Sequence, residues 1–256
     1  MNPLSLQNGI IYGPVRSRRL GCSLGVNLLP CDYKLCSFDC IYCHYGRTEV
    51  KAPSPSREHF PGVRDVLAAL ERTLRQRRDF ETITFSGNGE PTLHPDFAEL
   101  ASEARRLRDR YAPAAKLALL SNSSTAHRPD IREALGQFDL PIMKLDAGDS
   151  GTLARVNRPA AQVGLDDMVG ALSQIPHLTV QSVIVAGHLG NADEEVLERW
   201  LAALARIGPR EVQIYSSDRP VAETGVERVP PPVLQQLAER VRSRVRAGAS
   251  AYWCET

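Results

Sequence analysis

The sequence has no surplus of charge: 31 basic against 30 acidic residues leave a 256-residue chain at +1. Without a global field, charge gives no argument for a nucleic acid or a membrane surface as partner. The chain has no apolar run approaching the ~20 residues that span a bilayer, and its start lacks the basic-then-apolar order of an export signal. A cytoplasmic protein with no membrane partner is expected. Six cysteines in so long a chain do not read as a disulfide framework, so reduced thiols available to a metal are expected. Lysine is scarce beside arginine: Lys34, Lys51, Lys116 and Lys144 are the candidates for any chemistry that needs an amine.

What is present is concentrated in Cys36-Ser37-Phe38-Asp39-Cys40-Ile41-Tyr42-Cys43. Three thiols within eight positions, with turn-forming Ser37 and Asp39 between the first two, can wrap one soft metal centre. Packing alone gives no reason to crowd them. A cubane held by three cysteines leaves one iron open to a small molecule. Structural zinc wants four ligands and would have to recruit His44 or another thiol.

Around this loop the chain alternates strand and helix. Strands are predicted at 21–29, 81–85, 116–120, 140–145, 178–185 and 211–215. Helices are predicted at 63–74, 95–108, 130–138, 165–175, 193–207 and 230–246, the first from the spacing of Val63, Val66, Leu67, Leu70 and Leu74. Six strand-then-helix units with short connections predict an α/β fold with parallel strands. At this length, a partial (β/α)6 TIM-like barrel fits better than a full eight-fold one. No linker divides 1–256, so a single domain is expected: a basic segment over 1–20, the barrel over 21–246 and an unassigned tail over 247–256. Chemistry is expected at the carboxyl ends of the strands, where the cysteine loop, Ser86–Pro91, Ser121–Ser124, Asp146–Asp149, Ala186–His188 and Ser216–Pro220 would converge.

The spacing Cys36-x-x-x-Cys40-x-x-Cys43, with Tyr42 before the last thiol and Gly87-Asn88-Gly89-Glu90-Pro91 one strand later, resembles the radical S-adenosylmethionine (SAM) superfamily. The likeness continues from Tyr12–Gly21 through Lys144–Ala147, Asn157–Pro159 and Gln213–Tyr215 to Asp218–Pro220. It is similar in particular to the Fe-S oxidoreductase group related to the wyosine-forming tRNA enzymes.

The resemblance implies that Cys36, Cys40 and Cys43 bind a [4Fe-4S] cluster whose open iron chelates SAM. The reduced cluster would then cleave SAM to methionine and a 5'-deoxyadenosyl radical that takes hydrogen from a substrate. It also implies a low-potential electron donor such as flavodoxin or ferredoxin. Gly87, Asn88, Gly89 and Glu90 would meet the SAM amino group, Tyr42 the adenine, and Ser121 or Asn122 the ribose or carboxylate. Asp146 and Gln181 are further cofactor candidates, placed by their strand ends. The plainer readings are that Glu90 begins the next turn and Asn122 caps a helix.

For the substrate, Arg16, Arg18 and Arg19 form a basic knot able to clamp a phosphate or carboxylate, or else a solvated face. His188, Arg158 and Arg219 lie in loops expected at the mouth. Cys22, Cys31 and Cys254 are left over; a second cluster using them would need the tail to fold back to the mouth, and unliganded thiols are the alternative. The substrate is open among a tRNA base, a peptide and a small metabolite, and neutral net charge does not support tRNA. A wyosine-type Schiff base would fall on one of the four lysines. The non-enzymatic alternative, structural zinc or a redox-sensing cluster, leaves Gly87–Pro91 without a purpose.

Overall fold

The computed structural model describes residues 4–219, 221 and 223–254. Pro220 of the Asp218–Pro220 motif and the last two residues of the predicted tail lie outside the described residues. An eight-stranded sheet forms the body. Its strands are β1 (Ile11–Ser17), β2 (Gly21–Val26), β3 (Thr82–Phe85), β4 (Lys116–Ser121), β5 (Leu140–Lys144), β6 (Thr179–Val183), β7 (Glu211–Tyr215) and β8 (Gly248–Tyr252), in that spatial order. β1 pairs antiparallel with β2, and the other neighbours pair parallel. Helices α1 (Val63–Gln76), α2 (Phe97–Tyr111), α3 (Pro129–Leu135), α4 (Ser150–Val156), α5 (Leu165–Leu172), α6 (Glu194–Ile207) and α7 (Pro231–Arg240) follow the parallel strands. The expected partial (β/α)6 barrel is the architecture.

Thr-Ile-Thr-Phe of β3 alternates polar and apolar residues yet is buried at all four positions, because both faces of the sheet are covered. Each long helix supplies one apolar face: Val66, Ala69, Leu70 and Leu74 of α1, and Val196, Leu197, Trp200, Leu201 and Leu204 of α6. Trp200 Nε1–H donates to Leu145 O at 3.1 Å, which fastens α6 to the end of β5. Phe85, Phe97 and Phe138 pack ring to ring with centroids 5.4, 5.9 and 6.3 Å apart, joining β3, α2 and the approach to β5.

Both edges of the sheet differ from the sequence expectation. The basic segment, given no strand by the sequence, supplies one, because Ile11–Ser17 forms a hairpin with β2. Its turn folds inward: Ser17 Oγ accepts the Arg19 and Leu20 amides at 3.3 and 3.2 Å, and Leu20 is buried against Ala118 and Ile142. The tail supplies β8, paired with β7 from Glu211↔Gly248 to Tyr215↔Tyr252. Asp218, next to β7, accepts from Arg18 Nη1 at 2.6 Å and from the Cys254 amide at 3.1 Å, and Arg228 Nε lies 2.9 Å from it. One carboxylate thus staples the hairpin turn to the far edge. The first strand ends at Val26 rather than residue 29, because Asn27 turns the chain, its side chain bonding Leu29 O at 2.9 Å and Leu29 N at 3.3 Å.

His94 turns the chain into α2. Its Nε2–H donates to Pro61 O at 3.0 Å while Nδ1 accepts the Asp96 amide at 3.1 Å, an arrangement open only to the neutral ring. Burial lowers its pKa, and Arg57 adds to that, against the Pro61 bond and Asp96. A lowered folded-state pKa means the unfolded chain binds more protons just below the ordinary value of about 6.5. Stability is therefore expected to fall as pH drops through that value towards the folded pKa, by at most about 1.4 kcal/mol per pH unit from this group. Urea titrations at pH 7.5 and 5.5 (on the order of one unit either side) should show a larger loss in wild type than in His94→Gln. An equal loss in both would refute it.

Candidate active site

The cysteine loop and the loop after β3 are built as one unit. Leu35–Cys36 pairs with Val50–Lys51, closing the cysteine loop on itself. On its other side, Leu35 N–H donates to Asn88 O at 3.1 Å, and Glu90 N–H donates to Leu35 O at 3.3 Å. That contact requires glycine: Gly89 has φ +147°, and a Cβ there would stand 1.7 Å from Leu35 O. Gly87 is alike, with φ +141° and a Cβ position 2.3 Å from Asn27 Oδ1. Asn88 turns its side chain away to Gln7 O at 2.9 Å and Pro30 O at 2.7 Å, so it anchors the N-terminal segment.

A cavity of about 440 Å³ opens at the carboxyl ends of the strands, with Cys36, Cys40, Cys43, Gly87, Gly89, Glu90, Ser121 and Asn122 on its wall. Cys36 is buried, and Cys40 and Cys43 are half-buried. Amides face the sulfurs: Phe38 N–H and Asn122 Nδ2 lie 3.4 Å from Cys36 Sγ, and Asn157 Nδ2 lies 3.5 Å from Cys40 Sγ. Burial pushes the Cys36 thiol up to about 12 and the Cys40 thiol up to about 11. Both are neutral alone, and a bound metal reverses that by its own charge, after which the amides stabilise the thiolates. Among the described residues no three His, Cys, Asp or Glu side chains converge as ligands of one metal ion do. A cubane does not ask for that convergence, since each thiolate takes its own iron.

Glu90 is 2% exposed and held from two sides. Oε2 accepts the Asn122 amide at 2.5 Å, and Oε1 accepts Thr92 N–H at 3.1 Å and Thr92 Oγ1–H at 2.5 Å. Burial raises its carboxyl, and these donors act against the rise. The plain reading also holds, because Glu90 caps the turn Pro91–Leu93. Asn122 donates to Ser37 Oγ at 2.9 Å and accepts the Ser124 amide at 2.9 Å. Ser121 Oγ accepts the Ser123 amide at 3.1 Å.

Tyr42 is fixed from behind. Its hydroxyl donates to Asp146 Oδ2, and burial followed by the Asp146 charge keeps it protonated. Asn157 Nδ2 reaches Tyr42 Oη at 3.0 Å and Asp146 Oδ2 at 2.8 Å. Asp146 itself lies behind Tyr42 and is not among the cavity-wall residues. Gln181 is on the wall, with its amide at 3.2 Å from Gln213 Oε1 and its carbonyl accepting Tyr215 Oη–H at 3.2 Å. Lys34 and Lys144 also line the cavity, and Lys34 Nζ donates to Gly46 O at 2.7 Å. Burial works against the Lys144 ammonium, but Asp146 and Tyr215 more than offset it and the pKa is raised.

The remaining candidates are scattered. Arg219 is on the cavity wall. Arg19 lies over the Tyr215 ring with Cζ 4.2 Å from its centroid. Arg18 is engaged by Asp218, Arg16 is exposed on β1, and Arg158 pairs with Glu223. His188 is exposed beside Gly225 and is not on the wall. Cys22 bonds Asp79 O at 3.0 Å near the start of β2, whereas Cys31 follows that strand's other end and Cys254 is exposed. The roles of Asn157 and Tyr215 and the pinning of Tyr42 by Asp146 are not legible in the sequence, where Asn157–Pro159 and Gln213–Tyr215 stand out only as shared motifs with no stated role.

A family model described as Radical SAM superfamily matches residues 32–199, a span that holds all three thiols, Gly87–Glu90 and Asp146. The chain belongs to the radical SAM superfamily. Membership makes it a radical SAM enzyme and implies SAM, an iron-sulfur cluster and a source of electrons. The UPF0026 protein MJ1312 of Methanocaldococcus jannaschii is 30% identical over 236 residues, covering 90% of this chain and 69% of that protein. Two solved structures share the fold: a radical SAM methyltransferase from Sphaerobacter thermophilus, with TM-score 0.65 and 14% identity over 91% of this chain and 67% of that one, and TYW1 with a lysine-pyruvate adduct bound, with TM-score 0.58 and 13% identity over 88% and 75%. Among the described residues no helix is long and apolar enough to cross a membrane.

Proposed function

We propose that Cys36, Cys40 and Cys43 hold a [4Fe-4S] cluster, and that SAM binds beside it against Gly87, Gly89, Glu90, Ser121 and Asn122. The supporting observation is that the three thiols and Glu90 line one cavity, with amide donors turned toward two of the sulfurs. A cluster there would supply the electron that splits a SAM C–S bond, leaving methionine and a 5'-deoxyadenosyl radical to take hydrogen from the substrate.

The chain's own groups do the positioning. Glu90, held by Asn122 and Thr92, presents a fixed carboxyl group to the SAM amino group. The glycines let backbone approach the ligand. Tyr42 offers its ring to the adenine, and Asp146 with Asn157 act through Tyr42 as positioning residues rather than cofactor contacts. A flavodoxin or ferredoxin is the proposed electron donor, and a cytoplasmic setting suits it. The substrate is a small molecule in this reading; tRNA-base modification of the wyosine type stays the alternative, without a structural observation that favours it.

Dithionite reduction of anaerobic protein with SAM should release 5'-deoxyadenosine. Absence of that product from protein with a full iron complement would end the proposal.

A further inference from the structure

Lys144 ends β5 with its ammonium nitrogen out of solvent and without a hydrogen-bond partner. It is ion-paired with Asp146 Oδ1 at 3.4 Å without hydrogen-bond geometry, and that carboxylate accepts from three other donors. The Val183 amide donates to Oδ1 at 2.7 Å, and Tyr42 and Asn157 donate to Oδ2. Lys144 therefore keeps its N–H donors unspent at the cavity wall, 4.9 Å from the ring centroid of Tyr42 and 5.5 Å from that of Tyr215.

A second cation shares the Tyr215 ring. The Arg19 guanidinium lies over it at 4.2 Å, and the buried Arg19 Nε likewise has no hydrogen-bond partner. Arg19 is not itself on the cavity wall, but Ser17 and Leu20, on either side of it in the chain, and Tyr215 beneath it are. Buried donors left unpaired cost about 1–3 kcal/mol each and more when charged, so two of them on one ring mark where an acceptor belongs. Glu90, Ser121 and Asn122 come from the loops after β3 and β4, whereas these cations come from β5 and the hairpin turn.

We propose that Lys144 and Arg19, gathered at the Tyr215 ring, bind a carboxylate or phosphate group carried by the substrate. The inference rests on reading this cavity as the site of SAM cleavage, and it makes the substrate a small organic acid or phosphate ester. Planar guanidinium and compact ammonium together suit an oxyanion with two or three exposed oxygens.

Inorganic phosphate and acetate serve as probes, titrated into anaerobic cluster-loaded protein and followed by the thermal midpoint, with phosphorus NMR line width as a second reading. A saturable shift is expected with at least one probe, and the tighter probe tells phosphate from carboxylate. Lys144→Gln should weaken it about tenfold or more, Arg19→Gln about threefold to tenfold, and Lys144→Arg less than about threefold. SAM affinity by equilibrium dialysis should move less than the probe affinity does in Lys144→Gln and Arg19→Gln.

No shift in wild type, or equal probe affinity in wild type and Lys144→Gln, overturns the proposal. So does displacement of the probe by saturating SAM, which would make the SAM carboxylate the anion. Should Lys144→Gln not fold, equal probe affinity in wild type and Arg19→Gln would overturn it instead. Probe binding needs no turnover, so a cavity that fails to cleave SAM and a cavity that fails to bind the anion give different results.

Discussion

Cys40→Ala, prepared without oxygen, is expected to carry less than one iron per chain in place of about four, and to release no 5'-deoxyadenosine above a dithionite blank. Losing one of three thiolates leaves two, too few to keep the cubane. The fold should survive. Asn157 loses a sulfur acceptor but retains Tyr42 and Asp146, and removing one half-buried thiol costs about 1 kcal/mol. Far-UV circular dichroism and the urea midpoint of the cluster-free protein separate the two effects. Full iron content in this variant would show that the cluster ligands lie elsewhere, and a collapsed fold would show that Cys40 is chiefly structural.

Gly89→Ala is expected to act on the same site through the backbone. The added methyl would stand 1.7 Å from Leu35 O at a φ of +147°, so the two loops must part. A cost of about 3 kcal/mol or more follows from strain and the lost Leu35 contacts. Because Leu35 precedes Cys36, iron incorporation should fall as well. Gly208, the left-handed cap of α6 at φ +64°, is the control: a Cβ there meets nothing within 4 Å, and Gly208→Ala should cost only about 1 kcal/mol. Urea unfolding of the cluster-free forms measures both. Equal costs at the two glycines would mean that the contact between the loops does not matter.

Much of this site is readable before any coordinates, because its chemistry is local. Three thiols in one loop and two glycines before Glu90 carry their meaning in short spacing, and the strands and helices between them follow hydrophobic period. The edges are not readable in the same way. Gly13-Pro14 sits inside β1, a sequence that argues against a central strand and is tolerated because β1 lies at the sheet edge. Gly248-Ala249-Ser250-Ala251 of β8 has no bulky apolar residue to announce a strand, and it forms by pairing with β7. Alternation would put Lys144 and Asp146, two positions apart, on one face, but the strand ends at Lys144, so Lys144 reaches the cavity while Asp146 stands behind Tyr42. Asn157 is 115 positions from Tyr42, a long-range pairing that no local spacing reveals.

The Asp218 staple has a consequence for how the scaffold can change. A closed barrel ties strand number, tilt and stagger together, so its bore is fixed once the ladder is complete. Here the two edges meet through Arg18 and the Cys254 amide on one carboxylate, with Arg228 as a further cation beside it. Side-chain length at the seam is therefore expected to bear on the bore, and substitutions there to widen or narrow it without re-registering a strand. Cluster and cofactor residues would stay where they are while the opening is refitted to molecules of another size.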